Sequence, residues 1–365
     1  MGARGADDVS VPPLRYRDAP RREDIGTSAE EFLAALDGPT VFRIPGRDRT
    51  RTRVLVTLLH GNEPSGLRAL HGWFRSEPTP ATDVLCVVAA VAAAQRPATF
   101  SHRMLPGARD LNRCFRPPFV GTEGVLAEAI GHLVRSSHAE ALVDLHNNTG
   151  HNPAYGVAVH AGASELGLVS LFAERVVLSD LSLGALTEVL ADELPAVTIE
   201  CGRAGDPASD ALALAGLTRF VEAEQLPLAP VPSGIQVFGN PIRVGVRPGV
   251  RLAFSEAPAV NADLTLTSGV DQHNFSRLDA GTVLGWVRPS LPLPIEARGA
   301  AGDDRAADFF EIADGRLKTR VAMVPIMMTT NIRVAAQDCL FYVVRDRTTA
   351  TDESLITMPP GSFGS

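Results

Sequence analysis

The chain has 365 residues, 45% hydrophobic and 21% charged, the balance of a folded globular protein with one large domain or two moderate ones. A formal net charge of −8 and the lack of any long Lys/Arg block argue against a nucleic-acid partner. No apolar run approaches the roughly 18 residues of a membrane span, and the first residues lack the apolar core of a secretory signal, so a membrane partner is not expected.

Residues 1–27 are rich in Pro, Arg and Asp and read as a loose segment, and 28–36 open on a capping-type Ser28 and read as a short helix. The basic clusters at 15–22 and 47–53 read as solvated faces or loops. A buried strand is expected over 54–59, a helix over 65–76 and a Val-rich strand over 84–91. A helix over 123–137 then precedes a strand over 141–145. Further strands are expected at 156–160 and 195–199, and further helices at 164–177 and 210–224. Continuous rather than alternating hydrophobicity in these strands points to an α/β layer with a largely parallel sheet. The Pro-rich stretch 226–234 breaks this pattern. Beyond it come short strands with Gly, Pro and Asn turns, at 235–238, 251–254, 264–266, 282–287, 320–324 and 340–344. Residues 296–308 read as an exposed loop. The expected organisation is a loose 1–38, a catalytic domain over 39–228, a β-rich domain over 229–346 and a tail over 347–365.

Four cysteines, Cys86, Cys114, Cys201 and Cys339, lack any C-x-x-C spacing and suit neither a disulfide framework nor a thiolate zinc site. A reducing, cytoplasmic setting is the expectation.

The chemistry gathers at strand ends, where open α/β sheets place ligand-binding groups. His60-Gly61-Asn62-Glu63 follows the strongest strand, and an imidazole and a carboxylate three residues apart on a turn can converge on one zinc. Read alone, a helix-dipole role for Glu63 and a core role for His60 compete with that. Asp144-Leu145-His146-Asn147 repeats the layout. Asp144 and His146 share a strand face, so Asp144 is expected to support a metal-bound His146. Two histidines and one Glu would leave a coordination position open, the mark of a catalytic zinc. Glu200 ends an apolar strand in Ile199-Glu200-Cys201-Gly202, where a carboxylate is costly unless paired or functional. The polar loop 101–113 concentrates guanidinium and amide donors, which suit carboxylates and oxyanions, or simply a solvated surface.

In this order the four motifs His60-Gly61-Asn62-Glu63, Asp110-Leu111-Asn112-Arg113, Asp144-Leu145-His146-Asn147 and Ile199-Glu200-Cys201-Gly202 resemble the succinylglutamate desuccinylase/aspartoacylase family of the zinc-carboxypeptidase-like group. The resemblance spans roughly residues 50–225, and extends more loosely to 274–282. It implies a zinc-carboxypeptidase-like α/β fold, a mixed and largely parallel sheet with flanking helices, followed by a smaller β-rich domain. It implies one zinc per chain on His60, Glu63 and His146, with Glu200 as general base and proton shuttle. Asn112 and Arg113 match residues that hold a substrate carboxylate, and Asn147 joins the substrate-binding set. Arg103 or Arg109 would stabilise the oxyanion. The spacing from Arg103 to Asn112 is about two residues longer than the family's, which leaves the choice open.

Two departures stand out. The family's second carboxylate-gripping arginine has no counterpart, since 181–199 contain neither Arg nor Lys, and Phe309-Phe310 stand nearest to a family tyrosine. Both point to a divergent subfamily with a less acidic substrate, and the segments 147–153 and 327–330 are candidates for shaping its pocket. The expected activity is hydrolysis of the amide bond of an N-acyl amino acid or a related small carboxylate-bearing amide. The alternatives are a zinc carboxypeptidase acting on peptides and a non-catalytic zinc- or ligand-binding homologue. Homo-oligomerisation is left open.

Overall fold

A computed structural model describes residues 14–347 apart from 78, 227–233, 300, 301 and 338; most of the Pro-rich stretch and nearly all of the expected tail lie outside the described residues. The chain forms a mixed α/β fold. It divides into two compact units, one of residues 1–146, 183–198 and 210–228, the other of 147–182, 199–209 and 229–365. The chain therefore passes back and forth between units, where the sequence pattern suggests a single boundary near 228.

The first unit contains β1 (Arg15–Asp18), α1 (Ala29–Ala34), β2 (Thr40–Ile44), β3 (Asp48–Thr57), α2 (Ser65–Arg75), β4 (Thr82–Val88), α3 (Val91–Gln95), α4 (Gly121–Ser136) and the start of β5 (Ala141–Asn148). Its strands are ordered β1-β2-β4-β3-β5, parallel except where β2 meets β4. Strand periodicity sends neighbouring side chains to opposite faces. Val41, Val54 and Val56 join a core with Ile130 and Val134 of α4, while Phe42 turns to Phe32 of α1 and Phe74 of α2, 5.6 and 5.3 Å between ring centres. Helices thus cover both faces of this sheet. The expected capping of α1 is present: the Ser28 hydroxyl accepts from the Glu31 N–H at 3.1 Å.

The second unit opens with β6 (Tyr155–Ala158), α5 (Ala163–Ser170) and β7 (Arg175–Leu178). After these, α6 (Leu186–Leu190) lies in the first unit, β8 (Ala196–Arg203) starts there and ends in the second, and α7 (Pro207–Glu222) lies mainly in the first. Strand β9 (Gln236–Val246) follows, parallel to β7, which is itself parallel to β6. The β-rich part then runs through β10 (Leu252–Phe254), β11 (Leu264–Leu266), β12 (Val283–Val287), β13 (Ile295–Arg298), α8 (Ala306–Phe309), β14 (Phe310–Ala313), β15 (Arg316–Thr319), β16 (Val324–Ile326), α9 (Ile332–Gln337) and β17 (Phe341–Asp346). Five of these strands form a separate sheet ordered β10-β11-β12-β15-β14.

Several expectations need correction. Residues 15–18 are not loose but an edge strand on β2. The helix expected over 164–177 stops at Ser170, because the β-branched pair Val176-Val177 continues as β7. The loop expected over 296–308 contains β13, paired antiparallel with β9, and α8. Of the strand expected over 320–324, residues 320–321 form a bend, Met323 makes an isolated bridge to Leu278 and only Val324 belongs to β16. In the basic cluster 47–53, Arg53 is wholly buried rather than solvated. It pairs with Glu140 at 2.6 Å and donates to the carbonyls of Phe220 and Ala223, orphan acceptors at the end of α7. No helix of the described residues is long and apolar enough to cross a membrane, and all four cysteines are buried.

Candidate metal and active site

Strand β3 ends at Thr57, and the turn to α2 carries His60 and Glu63. Leu58 takes a positive φ of 55°, turning the chain out of the sheet. Gly61 allows the turn to seat. A Cβ there would stand 2.6 Å from the Ala94 backbone nitrogen and 2.7 Å from the His102 carbonyl oxygen. The Gly61 N–H donates to the Arg103 carbonyl at 2.9 Å, so the turn is anchored to the loop that supplies Arg103 and Asp110.

His60, Glu63 and His146 converge, all buried, with potential ligand atoms within 4.8 Å of one another. The imidazole rings stand edge to face, 4.9 Å apart. Glu63 lies between them: Oε2 accepts from His146 Nδ1 at 2.7 Å, and Oε1 lies 2.8 Å from His60 Nδ1. The second contact is short but poorly aligned, leaving His60 Nδ1 buried without a hydrogen-bond partner. Each ring is held from its other nitrogen. Asp144 Oδ2 is 2.7 Å from His146 Nε2, and Asp110 Oδ1 is 3.0 Å from His60 Nε2. Carboxylates on the outer nitrogens fix the ring orientation and point both Nδ1 atoms inward, as metal-bound histidines require. Two inward imidazole nitrogens, a carboxylate and an unsatisfied nitrogen lone pair fit a metal ion.

The electrostatics agree. Burial alone would raise the Glu63 pKa, but the two imidazoles outweigh it and hold the carboxyl well below the carboxylate range. Burial would likewise lower His146, yet Asp144 and Glu63 raise it well above the imidazole range. Asp110 is also depressed: burial opposes ionisation, and His60, with Arg103 and Arg113, overcomes it. Without metal, a proton on His146 compensates the carboxylates around it, and an entering cation must displace that proton.

Arg103 stands at the cluster. Its Nε and Nη2 donate to Asp110 Oδ2 at 3.1 and 2.9 Å, and Nη1 donates to Glu63 Oε1 at 3.2 Å. Arg109 is exposed and donates to the Val120 carbonyl. Asn112 and Arg113 lie on a 3-10 turn, Leu111–Arg113, started by Asp110, whose Oδ1 accepts from the Asn112 N–H at 2.9 Å. Asn112 is buried, and Arg113 is half-buried with no carboxylate paired to it among the described residues. In the second unit, Asn147 is buried and donates to the Gly202 carbonyl at 3.1 Å, and Glu200 is buried on β8 between Ile199 and Cys201. Within that unit the two segments singled out as pocket candidates meet. Asn152 Oδ1 accepts from the Met327 N–H at 2.9 Å, and the hydroxyls of Thr149 and Thr329 lie 3.1 Å apart. Asn274 also grips Met328 through its N–H at 2.7 Å and its carbonyl at 2.9 Å. Phe310 is a core residue against Phe341.

Sequence reasoning missed that Asp110 holds His60. The acid was visible in its motif, but nothing in a linear sequence links it to a ring fifty positions earlier.

Residues 49–216 match the succinylglutamate desuccinylase/aspartoacylase catalytic domain. The chain carries this family's catalytic domain. It is therefore of a hydrolase type, and its His-Glu-His cluster lies inside the matched region. Solved structures share the fold. A succinylglutamate desuccinylase from Chromobacterium violaceum is 15% identical, covering 92% of this chain and 99% of its own, with a TM-score of 0.56. A succinylglutamate desuccinylase/aspartoacylase from Rhodobacter sphaeroides is 15% identical over 84% and 89% of the two chains, with a TM-score of 0.53. Murine aminoacylase 3 is 15% identical over 82% and 97%, with a TM-score of 0.50. No curated protein sequence matches significantly.

Proposed function

We propose that the chain is a zinc-dependent amidohydrolase, holding one zinc on His60, Glu63 and His146 and cleaving the amide bond of an N-acyl amino acid or a related small carboxylate-bearing amide. The observation that carries this reading is the buried convergence of the two Nδ1 atoms on Glu63, with His60 Nδ1 unsatisfied and each outer nitrogen fixed by an aspartate. A donor set of two imidazoles and one carboxylate suits a catalytic rather than a structural zinc. Zinc there would supply Lewis-acid polarisation of the scissile carbonyl and a water acidified towards about pH 7.

The chain's own residues do the rest. Glu200 takes the proton of the attacking water and returns it to the departing amine. Its burial within β8 supports that role, since a carboxylate is kept in such a place only when it is paired or functional. Arg103 is the better-supported oxyanion ligand, because its guanidinium is already at the cluster whereas Arg109 is directed to Val120. Arg113, with Asn112 beside it, holds the substrate carboxylate and orients the amide. With neither Arg nor Lys over 181–199, the favoured substrate is less acidic than N-acetylaspartate. Four buried cysteines without any C-x-x-C spacing suit a reducing cytoplasm.

The test is a screen of N-acylated amino acids and short peptides with the zinc-loaded protein, read as released amine. Amine release from N-acyl amino acids, lost on chelation and restored by zinc, is expected. Full activity in a metal-free preparation, or cleavage of peptides alone, would overturn the reading.

A further inference from the structure

The chain just before α6 lies against the turn that carries Asn112 and Arg113. The Asn112 Oδ1 accepts from the Leu186 N–H at 3.0 Å, and the Phe115 N–H donates to the Gly184 carbonyl at 3.1 Å. Gly184 has φ +74°, and a Cβ there would stand 3.1 Å from the Arg113 carbonyl oxygen, so the approach favours glycine. On the apolar side, Leu186 and Leu190 share one core with Leu111, Cys114 and Phe115.

Glu188 is the hub of this contact. Its Oε2 accepts from three successive N–H groups, those of Leu183 at 2.7 Å, Gly184 at 2.8 Å and Ala185 at 3.3 Å. Its Oε1 pairs with Arg116 at 2.6 Å. Consecutive amides aimed at one oxygen form a nest that takes an anion, and here the chain fills the nest with its own carboxylate. One carboxyl group therefore clasps 183–185 with one oxygen and reaches the 112–116 stretch with the other. The Arg113 guanidinium donates to the Asn112 carbonyl at 2.9 Å, a bond to its own turn, so its aim depends on the backbone from which it extends.

On the reading of Arg113 as the carboxylate ligand, we propose that Glu188 and Arg116 are positioning residues that hold the Asn112–Arg113 turn in its binding geometry. Loss of the clasp leaves three amides without their acceptor and frees the turn to shift. The affected quantity is recognition of the substrate carboxylate, not the chemistry at the metal.

Steady-state kinetics would use the zinc-loaded enzyme with an N-acyl amino acid and with its carboxamide, in which the carboxylate is masked. Arg113→Gln comes first and should raise KM for the acid and erase its preference over the carboxamide. Glu188→Ala and Arg116→Ala should each raise KM for the acid about tenfold, leave kcat within about twofold and leave the carboxamide unaffected. Glu188→Gln keeps an acceptor for the amides and should fall between. If Arg113→Gln leaves KM unchanged, the carboxylate reading fails and the clasp with it. If Arg113→Gln acts but Glu188→Ala and Arg116→Ala do not, the clasp alone is refuted. Equal losses for acid and carboxamide would mark a merely structural role and also refute it. Arg116 is half exposed, so its variant decides the matter should Glu188→Ala not fold.

Discussion

Replacing Asp110 by Asn should weaken metal binding more than its distance from the metal would suggest. Four donors converge on this carboxylate. Oδ1 faces His60 Nε2 at 3.0 Å and the Asn112 N–H at 2.9 Å, while Oδ2 faces Arg103 Nε and Nη2 at 3.1 and 2.9 Å. An asparagine has one acceptor oxygen, so in either orientation its amide group meets two donors. The His60 ring then loses either its hydrogen-bond acceptor or the charge that makes its inward Nδ1 a good ligand. Outer-ligand losses typically cost between about 10-fold and about 100-fold in metal affinity, and this one belongs at the upper end, about 2.7 kcal/mol. Competition with a chromophoric zinc chelator gives the number, with His60→Ala marking complete loss. A wild-type zinc affinity in Asp110→Asn would refute the assignment of Asp110 as the partner of His60.

Three further outcomes follow from the same geometry. Glu200→Gln should retain zinc and lose about 10²- to 10⁴-fold in kcat, measured beside metal content on the same sample. Gly61→Ala should destabilise the fold by about 1–3 kcal/mol, because its Cβ would meet backbone atoms of Ala94 and His102 that cannot move independently; chemical denaturation reads this directly. The raised His146 pKa sets the pH behaviour of the metal-free protein. Its contribution to stability is whole below the unfolded imidazole value of about 6.5 and is lost as pH rises through the higher folded value. Thermal unfolding from about pH 6 upward should therefore show an alkaline loss without metal. Zinc holds the imidazole neutral and should abolish that loss.

Much of this was legible in the sequence, for physical reasons. The second half of β3 and the first residues of β5 and β8 are mostly apolar, and a polar residue shortly after such a stretch, such as His60 or His146, stands out. The helix start at Ser28 was equally plain, since its cap is local. Contacts set by tertiary packing were not legible. Asp110 meets His60, and Glu188 meets Arg116, across sequence gaps that no periodicity marks. Arg53 reads as surface charge until α7 brings its carbonyls over it. β13 was hidden in a Gly- and Asp-rich stretch because its pairing with β9 supplies what its own sequence lacks.

Everything proposed for the site depends on a metal at His60, Glu63 and His146, and elemental analysis of protein loaded with zinc and then desalted tests that most directly. One zinc per chain is expected in the native protein and none after His60→Ala combined with His146→Ala. A native protein that retains no zinc, or a double variant that retains as much, would contradict it.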